Sequence, residues 1–277
     1  MEDPIVALQR LLPQPWLART FGRLARSERP WLRHLLIRWW MRAFDVSLAD
    51  AARSSPDDYA SFEDFFTREL RPGARPQPAD PLALASPADG CLHAFGNLSD
   101  DKLMQAKGID YTLGALLGDD ALAEPFRGGW YATIYLSPAD YHRVHAPCDT
   151  VLQTAIAIPG QAYSVTGRTE RNLPGLFCRN ERLACLLETG AGPMALVMVG
   201  AMLVTGIETV WRERQPIESF QITRHSRRFR RGEEFGRFTL GSTLVLVLPA
   251  HALVPEQFLK QNQRVAVGQT LGLLSVS

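Results

Sequence analysis

The chain has 277 residues, 46% hydrophobic and 21% charged, with a formal net charge of +1. That length suffices for one large domain or two small ones around a sizeable core. The near-neutral total carries no polyanion-binding signature, so no nucleic acid partner is expected.

The charge is nevertheless uneven. Between Arg10 and Arg42 stand eight arginines and a single acid, Glu28. The same stretch, residues 4–52, reads as amphipathic helix, broken into two or three short pieces by Pro13, Pro15 and Pro30. At helical spacing Leu32, Leu35, Leu36, Trp39 and Trp40 fall on one side, with His34, Arg38 and Arg42 on the other. Trp16, Trp31, Trp39 and Trp40 lie among the arginines. Indoles at headgroup level and guanidiniums on phosphates suit an anionic bilayer surface. A helical pair packing on the rest of the protein is the alternative. The expected organisation is 1–55 as membrane-associating helices and 56–277 as a second domain. A short helix is expected around Phe62–Leu70, ending in the turn "RPGARP".

Beyond residue 84 the pattern changes to strands and turns. "SPADG" (86–90) is a tight turn in which Pro87 presets φ and Asp89-Gly90 supplies the reversal. Strands are predicted at 130–136, 151–158, 183–188, 194–200, 202–210, 238–248 and 264–275, with 211–235 as an exposed Arg-rich loop. The fold class is therefore α+β: amphipathic helices, then a mainly antiparallel β core of barrel-sandwich type. The longest apolar run, 195–207, is about 13 residues, short of the ~20 that a membrane helix needs. Cys91, Cys148, Cys178 and Cys185 lack C-x-x-C spacing. The start "MEDPIVALQR" has no signal-peptide core. Reduced thiols and a cytoplasmic location follow as expectations.

Three stretches could carry chemistry. "GRFTLGSTLVLVLP" (236–249) places Gly241-Ser242-Thr243 at the head of a strand that is apolar on both faces. A β-bulge explains that glycine; so does a reactive peptide bond. "YLSPADYHRVHAPCD" (135–149) holds His142 and His145. Three apart in an extended segment, they face opposite ways, poor geometry for one metal, and no metal site is expected. Asp89 in "SPADG" is good turn chemistry. Yet Asp89, one histidine and Ser242 are also the parts of a serine activated by an oriented imidazole. The esterase context G-x-S-x-G is absent.

Together with "NLPGLFCRNERLACL" (172–186) and "GPMALVMVGAMLVTGIETVW" (192–211), these motifs make the chain resemble the phosphatidylserine decarboxylase family, in its bacterial, membrane-associated form, from about residue 15 to 276. The resemblance implies a zymogen that cuts its own Gly241–Ser242 bond into chains 1–241 and 242–277, held as a heterodimer and compatible with a further dimer. It implies that Ser242 becomes a covalent pyruvoyl group. Phosphatidylserine would be decarboxylated to phosphatidylethanolamine through a Schiff base with that group, at the cytoplasmic face of the cell membrane, by a peripheral protein. It implies Asp89, His142 and Ser242 as the catalytic set, with His142 as base and Asp89 orienting it. His145 and Ser164 are implied as substrate-binding or auxiliary residues.

Thr166 departs from the resemblance, standing where the family more usually has asparagine. Three other readings are weighed. A barrel-sandwich carrier rests on "SPADG" and "VGQTLGLL" but lacks a Met-Lys-Met turn. A serine hydrolase using Ser242 predicts an uncut chain. A pyruvoyl decarboxylase of a soluble amino acid leaves the amphipathic front end without a purpose.

Overall fold

The computed structural model describes residues 3–106, 109–202, 206–213, 217–239 and 242–276. Three helices come first: α1 (Pro4–Leu11), α2 (Gln14–Ala25) and α3 (Pro30–Phe44). Proline at the start of α2 and α3 explains the breaks: its missing N–H is not needed in a first turn. The short α4 (Phe62–Phe66) is capped by Ser61, whose hydroxyl accepts from the Asp64 N–H. It ends four residues before the expected Leu70, which instead bridges to Ala51.

The β region opens with β1 (Ala83–Ala85), β2 (Gly90–Asn97), β3 (Lys102–Ala106) and β4 (Ile109–Thr112), followed by α5 (Leu113–Leu117). Next come β5 (Trp130–Leu136), β6 (Arg143–His145), β7 (Thr150–Ile158), α6 (Gly167–Asn172) and α7 (Leu176–Arg179). Then follow β8 (Arg182–Thr189), β9 (Gly192–Val199), β10 (Ile207–Thr209), β11 (Gln221–Phe229) and β12 (Glu234–Phe238). The last four are β13 (Ser242–Leu248), β14 (Leu253–Pro255), β15 (Gln263–Val265) and β16 (Thr270–Leu274).

Eight strands form one antiparallel sheet in the order β11-β7-β8-β9-β13-β5-β2-β15. Smaller sheets, β1-β16-β14 and β10-β12-β6, pack on it. The protein is α+β with a mainly antiparallel β core, as expected, and β11 and β15 are the edges of the main sheet. β13 is central, with every residue buried. Its Val245 and Val247 face a core shared with Ile37, Phe62 and Phe65. Leu244, Leu246 and Leu248 face a second core containing Leu84, Phe235 and Leu271. Each such burial stabilises by about 1.5–3 kcal/mol, which holds the head of β13 firmly in place.

Several expectations need correcting. The predicted Arg-rich loop 211–235 has as its middle a mostly exposed strand, β11, paired antiparallel to β7, and it buries Ile217, Phe229 and Phe235. An edge strand needs no alternation of buried residues, and arginines protect its open side. Predicted strand 202–210 reduces to Ile207–Thr209, with 203–205 outside the described residues. Predicted strand 238–248 is two strands, β12 and β13, and Leu240 and Gly241 lie outside the described residues. The stretch 264–275 is β15 and β16 about a turn at Gly268, as its glycines suggest, whereas Gly272 lies inside β16 and not in a second turn. At Gly268 φ is +86°, and an added Cβ would stand 2.4 Å from the Pro76 carbonyl oxygen. In α3 the inward face is Ile37 and Trp40, whereas Trp31, Leu35 and Trp39 are exposed.

Candidate active site

Two neighbouring connections build the site. Ser242 opens β13 opposite Leu136, the last residue of β5. The chain then runs through residues 137–141 to His142. On the other side, the Phe238 N–H donates to the His142 carbonyl at 3.0 Å, and residues 239–241 lead from Phe238 back to Ser242. Ser242 and His142 thus close the same corner of the fold. Gly241 lies outside the described residues.

The 137–141 turn is tightly fixed. Asp140 Oδ2 accepts from the Ser137 N–H at 2.7 Å and the Ser137 hydroxyl at 2.8 Å, and Arg264 pairs with the same carboxylate. Arg68 donates to the Ala139 carbonyl at 2.9 Å, and the Trp40 indole donates to the Pro138 carbonyl at 3.0 Å. Trp40 packs on Phe66, and the Phe66 ring lies 4.1 Å from the His142 ring. Helix α3 is therefore connected to the imidazole by contact.

His142 is fully buried. Its Nδ1 lies 2.8 Å from the Asp140 carbonyl oxygen. A carbonyl only accepts, so Nδ1 carries the proton and Nε2 keeps its lone pair. Burial pushes the His142 pKa down to about 3, against a smaller opposing effect of the Asp140 carbonyl. The ring is a neutral base at ordinary pH. Among the described residues its Nε2 and the fully buried Ser242 Oγ both lack a hydrogen-bond partner. An unsatisfied buried polar atom costs about 1–3 kcal/mol, so two in one corner mark a place where groups are held for something other than stability.

Asp89 is held elsewhere. Arg75 donates to it from Nε at 3.0 and 3.1 Å, and the Val267 N–H donates to its Oδ1 at 2.8 Å. Arg75 also reaches Asp50 at 2.9 Å, fastening the "RPGARP" turn to "SPADG". The two carboxylates hold the guanidinium pKa above its usual value, chiefly through the Asp89 hydrogen bond. Among the described residues no hydrogen bond joins Asp89, His142 and Ser242 to one another. The Asp140 carbonyl occupies the Nδ1 position that the resemblance gives to Asp89. Burial lowers the His145 pKa, opposed by the Gly232 hydrogen bond, then by the Glu234 charge and least by that of Asp89. His145 Nδ1 donates to the Gly232 carbonyl at 2.8 Å, and the Tyr141 hydroxyl donates to Nε2 at 2.9 Å.

Ser164 lies in the segment between β7 and α6, tied to α1. The Ser164 N–H donates to Gln9 Oε1 at 2.8 Å, and its hydroxyl meets Thr166 Oγ1 at 3.3 Å. Thr166 therefore bonds locally. Between α2 and this segment runs a groove of about 970 Å³. Arg19, Arg23 and Arg26 line it from one face of α2, with Arg10 at the end of α1. Glu181 and Glu218 face them. Its floor includes Gly200, which follows Val199, and Val199 pairs with Thr243.

Among the described residues no cluster of three or more His, Cys, Asp or Glu could hold a metal ion, and no helix is long and apolar enough to cross a membrane. The four cysteines are free; burial raises the Cys148 thiol pKa to about 12. Sequence reasoning missed Arg75, which sits in an ordinary-looking turn, and the Asp140 carbonyl, since backbone atoms leave no mark in a motif.

The buried serine and the neutral imidazole are a candidate catalytic pair, and comparison with known proteins specifies the class of the chain. The family model described as phosphatidylserine decarboxylase matches residues 62–273, and a second, described as PSD, matches 4–45. Relatives named "Phosphatidylserine decarboxylase proenzyme" include those of Hahella chejuensis (43% identical, covering 95% of this chain and 91% of the relative), Psychrobacter cryohalolentis (45%, 96% and 96%) and Marinobacter nauticus (44%, 100% and 99%). The chain belongs to the phosphatidylserine decarboxylase family and is a decarboxylase. The carrier and hydrolase readings fall with that assignment.

Proposed function

We propose that this chain cuts its own Gly241–Ser242 bond and then decarboxylates phosphatidylserine to phosphatidylethanolamine at the cytoplasmic face of the cell membrane. The observation that carries the reading is the pair of buried, unpartnered atoms, Ser242 Oγ and His142 Nε2, in one corner of the fold.

In the first reaction His142 Nε2 takes the Ser242 hydroxyl proton while Oγ attacks the Gly241 carbonyl carbon. The C–N bond breaks and an ester forms. Loss of the residue-242 α-proton then expels residues 1–241 as a carboxylate. Water adds to the remaining enamine, in its imine form, and ammonia leaves. The site suits the product: β13 holds position 242 between two strands, and the small acyl group that results leaves no hydroxyl unsatisfied. A pyruvoyl group at that position supplies a carbonyl that condenses with the substrate amine and accepts the electron pair released with carbon dioxide.

The chain's other residues bind and orient. Arg10, Arg19, Arg23 and Arg26 take the phosphate and carboxylate of the headgroup, while Glu181 and Glu218 complement its ammonium. Ser164 stands at the headgroup end. Exposed Leu8, Leu11, Trp16, Trp31, Leu35 and Trp39 insert into the anionic bilayer surface, so that a peripheral protein meets a substrate that stays there. Chains 1–241 and 242–277 remain together because β13 is paired on both sides with strands of the upstream chain.

A second assignment of the base rests on the geometry of His145: its Nδ1 is fixed on the Gly232 carbonyl, its Nε2 accepts, and Asp89 is among the charges that raise its pKa. In that version Tyr141 must swing away before Nε2 of His145 takes the proton. Cleavage of His142→Ala and His145→Ala separates the two; the variant that stays uncut names the base. Carbon dioxide release from carboxyl-labelled phosphatidylserine, but not from labelled free serine, tests the substrate. Release from free serine at a comparable rate would contradict it.

A further inference from the structure

On the face of β13 opposite Ser242, the next side chain, Thr243, lines a small cavity of about 30 Å³. Among the described residues, three of the groups lining it end in buried oxygens that make no hydrogen bond of good geometry: Thr243 Oγ1, Thr133 Oγ1 and Glu170 Oε1. The Tyr111 hydroxyl, also buried, neighbours Thr133 and feels the charge of Glu170. The other Glu170 oxygen pairs with His93 Nε2 at 2.7 Å. His93 is the extra residue of a β-bulge: Leu92 pairs with Ile134 and Ala94 with Thr133, leaving His93 unpaired between them. A bulge re-aims a side chain, here toward the cavity.

Each of these features costs free energy unless the cavity is filled. A space of this size with several polar partners is what one buried water requires.

We propose that Glu170, Thr133 and Thr243 hold one water molecule, and that this water, oriented by the His93–Glu170 pair, positions the residue that follows Ser242. The water donates to Glu170 Oε1 and to a threonine oxygen, and accepts from the other threonine hydroxyl. Only the statement that the link joins two separate chains rests on the self-cleavage reading. On that reading, Glu170, His93 and Thr133 lie on chain 1–241 and Thr243 on chain 242–277. The site then fastens the new chain end where β13 would otherwise fray.

The charged groups facing His93 are Glu170 and Arg171, both of α6. The Glu170 hydrogen bond raises the His93 pKa above its usual value, against burial and Arg171. A raised histidine pKa makes the pair's contribution complete below about pH 6.5 and lost as pH rises through the shifted value.

The test is thermal unfolding of the full protein across pH 5.5–9 for the wild type, His93→Gln and His93→Arg, with decarboxylation followed in parallel. The expected result is a wild-type advantage over His93→Gln, in both Tm and kcat, that is largest at low pH and disappears as pH rises. His93→Arg, always charged, retains that advantage throughout. At one pH, Thr243→Val and Glu170→Gln should together lower Tm by less than the sum of their separate effects, while Thr243→Ser, which keeps the hydroxyl, stays near wild type. Additive losses, or a constant gap between wild type and His93→Gln at every pH, would overturn the proposal. A wild type that neither cleaves nor decarboxylates would count against the proposed function, while the Tm measurements still decide the water site.

Discussion

The N-terminal helices and the head of β13 invert the usual rule of burial in opposite senses. In the helices, Trp31, Leu35 and Trp39 are 65%, 60% and 55% exposed. At the head of β13, Ser242 and Thr243 are 0% and 1% exposed, and His142 is 0% exposed. Apolar groups left in water and polar groups sealed from it both cost free energy, and each placement marks a surface or atom kept for a partner. The two regions are also joined: Trp40 of α3 bonds to the Pro138 carbonyl and packs on Phe66, which packs on His142. Helix α3 therefore reaches the candidate site through Trp40 and Phe66.

The comparison breaks most sharply at Ser242. Ser242→Ala removes the nucleophile, and the purified protein should run as one uncut chain with no decarboxylation. Any self-cleavage would move the reactive atom elsewhere. His142→Ala should slow cleavage by roughly 10²–10⁴, the usual worth of a positioned base, as read from the fraction cut over time. The outer region is tested by replacing Trp31, Leu35 and Trp39 together with serine. Sedimentation with phosphatidylserine vesicles should weaken by about tenfold or more, since only ~1.4 kcal/mol of apolar burial need be lost. Self-cleavage should stay near wild type. Equal loss of both would mean that the exposed side chains serve the fold.

The smallest effect sought is one of pH. With its pKa near 3, His142 stays neutral across pH 5–8, so the cleavage rate should show no step at about 6.5, where an ordinary histidine titrates. Stability behaves differently. The unfolded chain takes up a proton on His142 below about pH 6.5 and the folded chain does not until near 3. This group therefore lowers stability as pH falls through that window. A cleavage step at 6.5 would point to a base in a wetter environment.

The sequence makes the central strands legible because β13 and its neighbours are apolar on both faces, and it marks Ser242 through a glycine at a strand head. It hides β11, whose arginines read as a loop because an edge strand has no buried face to declare itself. In α3 it shows an apolar stripe but not which part faces inward; packing selects Ile37 and Trp40. The candidate site was legible in the motifs that carry Ser242 and His142, and not in the groups that surround them. Asp89 is visible as a turn residue, but its tie to Arg75 spans 14 positions, and a backbone carbonyl orients His142. The His93 bulge arises only from the register between β2 and β5.

The central claim, that Ser242 is converted and not merely buried, is tested most directly by the intact mass of the purified protein. The account predicts two chains, with the 36-residue piece from position 242 lighter than its sequence by about 17 Da, the ammonia lost when a pyruvoyl group replaces serine. A single species at 30.9 kDa, or a short chain with an unmodified serine at its start, would contradict it.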